Sequence, residues 1–125
     1  MSQSFDDSKP IFIQIKERIE NQIVSEQLKA HEQIPSTTQL VSFYKINHLT
    51  VAKGMNLLVD EGIIYKKRGV GMFVAEDARE RLLEQRKEKF VEHFVRPMLD
   101  EARNLGITPS ELTQIVERTK GSESS

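Results

Sequence analysis

Residues 47–74 read NHLTVAKGMNLLVDEGIIYKKRGVGMFV, and the apolar period changes once along them. Val51, Met55, Leu58 and Val59 recur at helical spacing and predict a helix over 48–60 with one buried stripe. Asn47 is a good N-cap, and Gly62 sits just past the end, where a left-handed cap needs no Cβ. Ile63-Ile64-Tyr65-Lys66-Lys67 then turns β-branched and aromatic. Arg68-Gly69-Val70-Gly71 reads as a turn and Met72-Phe73-Val74 as a second short strand. The stretch is therefore a helix followed by a two-stranded hairpin whose tip carries three positive charges.

Upstream, Ile34-Pro35-Ser36-Thr37-Thr38-Gln39-Leu40 is a helix-start signature. Ser36 can accept from the Gln39 amide while the Gln39 side chain reaches back. This predicts a short helix over about 37–44, with Lys45-Ile46-Asn47 turning into the helix at 48. Two short helices joined by a tight turn have helix-turn-helix anatomy, and a hairpin after them is a wing. Further upstream, Ile11, Ile15, Ile19 and Ile23 recur every four residues and predict a helix over roughly 10–26 that Pro10 opens. Residues 1–8 are polar and expected to be disordered.

Charge sharpens this reading. The chain of 125 residues has 18 Lys/Arg and 19 Asp/Glu, a net charge of −1. Residues 45–71 nevertheless hold five basic and two acidic side chains. A local basic patch can bind phosphate on a neutral protein, because screening limits each contact to about 8–10 Å. Asn47, His48, Thr50 and Lys53 at the start of the third helix are candidates for base-edge contacts in a major groove. Lys66, Lys67 and Arg68, with Gly69 and Gly71, are candidates for phosphate or minor-groove contact by the wing. The ordinary alternatives are a solvated basic surface, a helical hairpin with a polar outer face, and a turn that needs glycine.

The tail from residue 76 is different in kind. Residues 79–89 are mostly charged, with Leu82 and Leu83 the apolar exceptions. Phe90, Val91, Phe94, Val95, Met98, Leu99, Ala102 and Leu105 then follow at helical spacing. Pro97 falls inside this stripe, so a kink or break is expected near 93–97. Gly106 ends the helix, and Thr108-Pro109-Ser110-Glu111 starts another through a capping box. That helix offers Leu112, Ile115 and Val116. Residues 121–125 are expected to be disordered. Two helices cannot bury this stripe alone. A two-fold homodimer through Phe90, Val91, Phe94, Val95, Met98, Leu99, Ala102, Leu112, Ile115 and Val116 resolves it, and folding back onto the first domain is the alternative. Residues 76–119 are too few to enclose a cavity of ~300 Å³ within one chain.

The fold class expected is mainly α with a small β-hairpin: a winged helix-turn-helix over 9–75 and a helical dimerisation domain over 76–120. Cysteine is absent, which excludes disulfides, Cys-based zinc sites and thiol catalysis and fits a cytoplasmic location. No apolar run approaches the ~18 residues of a membrane span. His31, His48 and His93 are dispersed, with no metal-ligand spacing, and Ser36 has no evident base. No phosphate loop or dinucleotide fingerprint occurs. An enzyme, a metal and a cofactor are therefore not expected.

Residues 10–74 resemble the winged helix-turn-helix domain of the GntR family of bacterial transcription regulators. The matching segments are Pro10-Ile11-Phe12-Ile13-Gln14-Ile15, Ile34-Pro35-Ser36-Thr37-Thr38-Gln39-Leu40-Val41, Thr50-Val51, and the wing from Gly62 to Val74. The tail around Arg96-Pro97-Met98-Leu99 and the run from Asp60 to Gly69 are similar to the YtrA subfamily. The resemblance adds Ser36, Thr37, Thr38 and Gln39 to the expected DNA-contacting set. Thr38 stands where the family has an arginine, and Asn47 and His48 stand where it often has Ser-Arg. Thr50, Gly69 and Gly71 match directly. What the resemblance implies is a homodimeric repressor on a palindromic operator of double-stranded DNA, controlling a transporter operon, with a small-molecule effector left unidentified. A winged-helix module that binds protein instead is the alternative.

Overall fold

The computed structural model of the chain describes residues 5–123, so residues 1–4 and 124–125 of the two ends expected to be disordered lie outside them. Helix α1 spans Ile11–Val24 and buries Ile15, Ile19 and Ile23, the predicted stripe. It is shorter than expected at both ends. Pro10 is the N-cap, and the chain leaves the helix at Ser25, with Glu26 at φ 67°. Of residues 5–8, expected to be disordered, Phe5 is half-buried while Asp6, Asp7 and Ser8 are exposed. The Phe5 ring meets Tyr44 edge-on at 5.3 Å, the Arg18 guanidinium lies 4.1 Å from the Phe5 centroid, and Gln14 bonds the Asp6 backbone. An aromatic residue at position 5 finds a cover that composition alone does not reveal.

Helix α2 spans Thr37–Tyr44 and helix α3 spans His48–Asp60. Both start as predicted. The Gln39 amide donates to Ser36 Oγ at 3.0 Å, and the Ser36 amide donates to Gln39 Oε1 at 2.9 Å. Asn47 Oδ1 accepts from the Leu49 amide at 2.7 Å. Helix α3 lies against α1 and α2 and buries Val51, Gly54, Met55 and Leu58. Gly62 ends it at φ 76°. The Gly62 amide donates to Val59 O and the Ile63 amide to Leu58 O, both at 3.0 Å. This pair of hydrogen bonds across a left-handed residue is a Schellman cap, and both Leu58 and Ile63 are buried in the core.

Strands β1 (Ile64–Lys67) and β2 (Gly71–Val74) pair antiparallel, with Ile64 opposite Val74 and Lys67 opposite Gly71. Ile64 and Val74 face the core, which also holds Ile34 and Leu40. Helix α4 spans Ala78–Phe90, and its first turns belong to that core: Ala78 is 0 % exposed and Leu82 2 %. Arg79 Nε donates to Val24 O at 2.9 Å, and Arg81 Nη1 donates to Glu61 O at 2.8 Å. The chain divides into two compact units, 1–84 and 85–125, within α4. The first compact unit extends to residue 84, and Ala78 and Leu82, three and seven residues past position 75, pack in its core.

In the second unit a π-helical turn, Val91–Val95, joins α4 to α5 (Arg96–Asn104). The Arg96 amide donates to Val91 O. The widened turn accommodates Pro97, which has no amide to offer. The irregularity falls where a kink or break was expected, and the helix continues through it. Helix α6 spans Pro109–Glu123. Its capping box is formed, with the Glu111 amide donating to Thr108 Oγ1 at 3.1 Å and the Thr108 amide donating to Glu111 Oε1 at 2.9 Å. Residues 121–123, expected to be disordered, form its last turn. No helix among the described residues is long and apolar enough to cross a membrane.

Candidate nucleic-acid interface

The first unit has a hollow of about 470 Å³ lined by the start of α2, one side of α3 and the hairpin. Of the predicted residues, Thr37, Lys66, Lys67, Arg68, Gly69 and Gly71 line it. Lys66, Lys67, Arg68 and Gly69 are exposed. Alternation along β1 puts Lys66 on the face of Ile64 and Lys67 on that of Tyr65. Lys67 Nζ lies 5.1 Å from the centroid of Phe73, which itself stacks on Tyr65 at 5.7 Å. The two lysines therefore leave the hairpin on opposite sides.

The other predicted residues are distributed along the front of the two helices. Ser36 and Gln39 are engaged in their capping box, and Thr38 is exposed beside them. Asn47 and His48 are exposed, while Thr50 is half-buried. Lys53 is exposed, but its Nζ lies 4.1 Å from the centroid of Phe12, a cation–π contact that draws it toward α1. The acidic pair expected to dilute the basic stretch, Asp60 and Glu61, sits at the far end of α3. Glu61 is also paired with Lys16 at 3.3 Å.

Sequence reasoning missed several contributors. Ala52, Asn56 and Val70 line the hollow, and Leu49 stands exposed on α3. Leu49, Ala52 and Asn56 follow at i, i+3 and i+7, so helical periodicity carries that signal. Gln33 has no such signal. It bridges to Phe73 across the sheet edge, and its Nε2 donates to Val70 O at 3.0 Å, holding the hairpin tip. Its side chain passes over Gly71, where any Cβ would collide with the amide.

In the second unit Phe90, Val91, Phe94, Met98, Leu99 and Val116 are each 40 % exposed or more, and Val95, Leu112 and Ile115 are half-buried. Ala102, at 6 %, is already covered. Leu105, at 65 %, was not among the predicted interface residues. An open apolar groove of about 590 Å³ runs between α5 and α6, lined by Met98, Leu105, Leu112 and Ile115 among others. The groove is open rather than enclosed, and the expectation concerned an enclosed cavity.

The arrangement of three helices, a basic hairpin and a groove between them defines a winged helix-turn-helix. The model of the family described as bacterial regulatory proteins, gntR family, matches residues 13–74. Across 91 % of its length the chain is 27 % identical to an HTH-type transcriptional regulator of Bacillus subtilis, YhcF, covering 93 % of that protein. It is 34 % identical over 67 residues to the histidine utilization repressor of Klebsiella aerogenes, of which it spans only 28 %. Among solved structures, a GntR family transcriptional regulator from Listeria monocytogenes superimposes with a TM-score of 0.65 at 30 % identity, over 91 % of this chain and 98 % of that one. AraR(DBD) in complex with operator ORR3 superimposes at 0.53 and 28 % identity, over 58 % of this chain and 87 % of that one. YtrA from Sulfolobus acidocaldarius shares the fold over the full length of both chains, at 0.54 and 24 % identity. The chain belongs to the GntR family of DNA-binding transcription regulators, and its relatives are regulators rather than enzymes.

Proposed function

We propose that the chain is a repressor that binds a palindromic operator as a homodimer, with the first unit on DNA and the second holding the two copies together. The observation that carries the DNA contact is the hollow between α2, α3 and a hairpin bearing Lys66 and Arg68. In this reading α3 enters a major groove while the wing lies along phosphates or in the adjacent minor groove. Thr50, Asn47 and His48 face base edges or nearby phosphates, and Thr38 donates to phosphate without the bidentate grip of an arginine. A neighbour of the same fold bound to an operator supports this assignment.

The dimer reading rests on the uncovered apolar side chains of α4, α5 and α6. A second copy related by a two-fold axis would cover them and set the recognition helices about one helical turn of DNA apart. The small helical second unit supports placement in the YtrA-like subfamily and, with it, control of a transporter operon from a cytoplasmic location. An effector, if the protein responds to one, would act by changing the angle between the two DNA-binding units. Selection of bound sequences from random duplex DNA tests the reading. An inverted repeat with half-sites about one turn apart is expected. Enrichment of no sequence, with binding independent of salt, would favour the protein-interaction alternative.

A further inference from the structure

One side chain on this surface is not explained by hydrogen bonding or charge. Leu49, the second residue of α3, is 76 % exposed, the most exposed large hydrophobic among the described residues. At about 100° per residue it stands opposite the buried Val51, Met55 and Leu58. It shares its face with Ala52 and Asn56, which line the hollow beside the wing. Beside it, Asn47 Oδ1 is committed to the Leu49 amide, which leaves the Asn47 amide nitrogen with His48 and Thr50 for polar contacts on the flank. Lys53 on the other flank is drawn to Phe12. What the front of α3 offers at its centre is therefore a branched aliphatic group that can neither donate nor accept.

We propose that Leu49 is a specificity-determining residue that packs on the 5-methyl group of a thymine in each half-site; this rests on the reading of α3 as the groove-entering helix. Among the four bases only thymine presents a methyl on the major-groove edge. A guanine or cytosine at the same place would have its acceptors or donor desolvated against leucine without a partner, which disfavours it.

The test compares the full chain with Leu49→Ala, each used to select from a random duplex pool. The expected wild-type motif has one invariant thymine in each half-site. A single deoxyuridine at that place, which removes only the methyl, weakens wild-type binding about fourfold per half-site, the worth of one buried methyl. Leu49→Ala keeps the rest of the motif, loses the preference at that position, and binds the thymine and uracil duplexes alike. A variant that selects the wild-type motif unchanged, or a wild-type chain indifferent to the methyl, overturns the assignment. If the wild-type chain enriches no motif at all, the DNA-binding reading itself fails and the inference falls with it.

Discussion

At the scale of single residues, the wing depends on a side chain that lies outside it. Gln33 holds the Val70 carbonyl and occupies the space that Gly71 leaves by lacking a Cβ. Gln33→Ala removes one hydrogen bond, worth about 1 kcal/mol. It is expected to weaken DNA binding by loosening the hairpin tip while the thermal midpoint moves by only a few degrees. The loss should be non-additive with Arg68→Ala and additive with Thr50→Ala, which a double-mutant cycle in a fluorescence anisotropy titration would measure. Arg68→Ala alone should weaken binding to all duplexes and flatten the salt dependence by about one phosphate contact per protomer. Thr50→Ala should cost operator affinity about fivefold per half-site, one hydrogen bond's worth, while binding to unrelated duplex stays unchanged. Equal losses on both duplexes would move Thr50 from base to phosphate.

At the scale of elements, α1 is held to the end of α3 by a charged cluster. Burial alone would lower the Lys16 pKa, but the carboxylates of Glu20 at 2.7 Å and Glu61 at 3.3 Å outweigh it and raise the value above that of a free lysine. A raised amine pKa stabilises the fold fully below the unfolded-state value of about 10.4, and that contribution is lost as pH rises through the folded one. Thermal stability should therefore lose this contribution only in the alkaline range above about pH 10. Lys16→Met, which leaves the 8 % exposed Glu20 without its partner, should cost about 1–3 kcal/mol in denaturant unfolding and remove that alkaline step.

The elements were legible because their signals are local. Ser36 with Gln39, Asn47, Gly62 and Thr108 with Glu111 fix the starts and stops of helices through contacts two to five residues long. What escaped the sequence depends on distant partners. Ala78 and Leu82 look like stray apolar residues in a charged helix until the core of the first unit covers them. Gln33 and Phe5 likewise act across the fold. The candidate interface divides the same way. The basic tip and the start of α3 could be read from composition and spacing, and the outward face of Leu49 follows from helical periodicity, whereas the attraction of Lys53 to Phe12 needed the packing of α1 against α3.

At the scale of the whole molecule, the second unit needs a partner to cover its apolar side chains. Phe94 is 66 % exposed, and burying such a ring gains about 1.5–3 kcal/mol. Phe94→Asp should give monomers, seen as a smaller sedimentation coefficient, while the first unit keeps its fold. Those monomers should retain weak binding to duplex and lose cooperative occupation of a palindrome. Sedimentation velocity of the wild-type chain mixed with a labelled duplex, carrying the selected site, at low ionic strength tests whether a dimer sits on DNA. Two protomers moving with each duplex, released as salt is raised, is the predicted result. A single protomer that leaves the duplex at its own sedimentation coefficient would contradict the account.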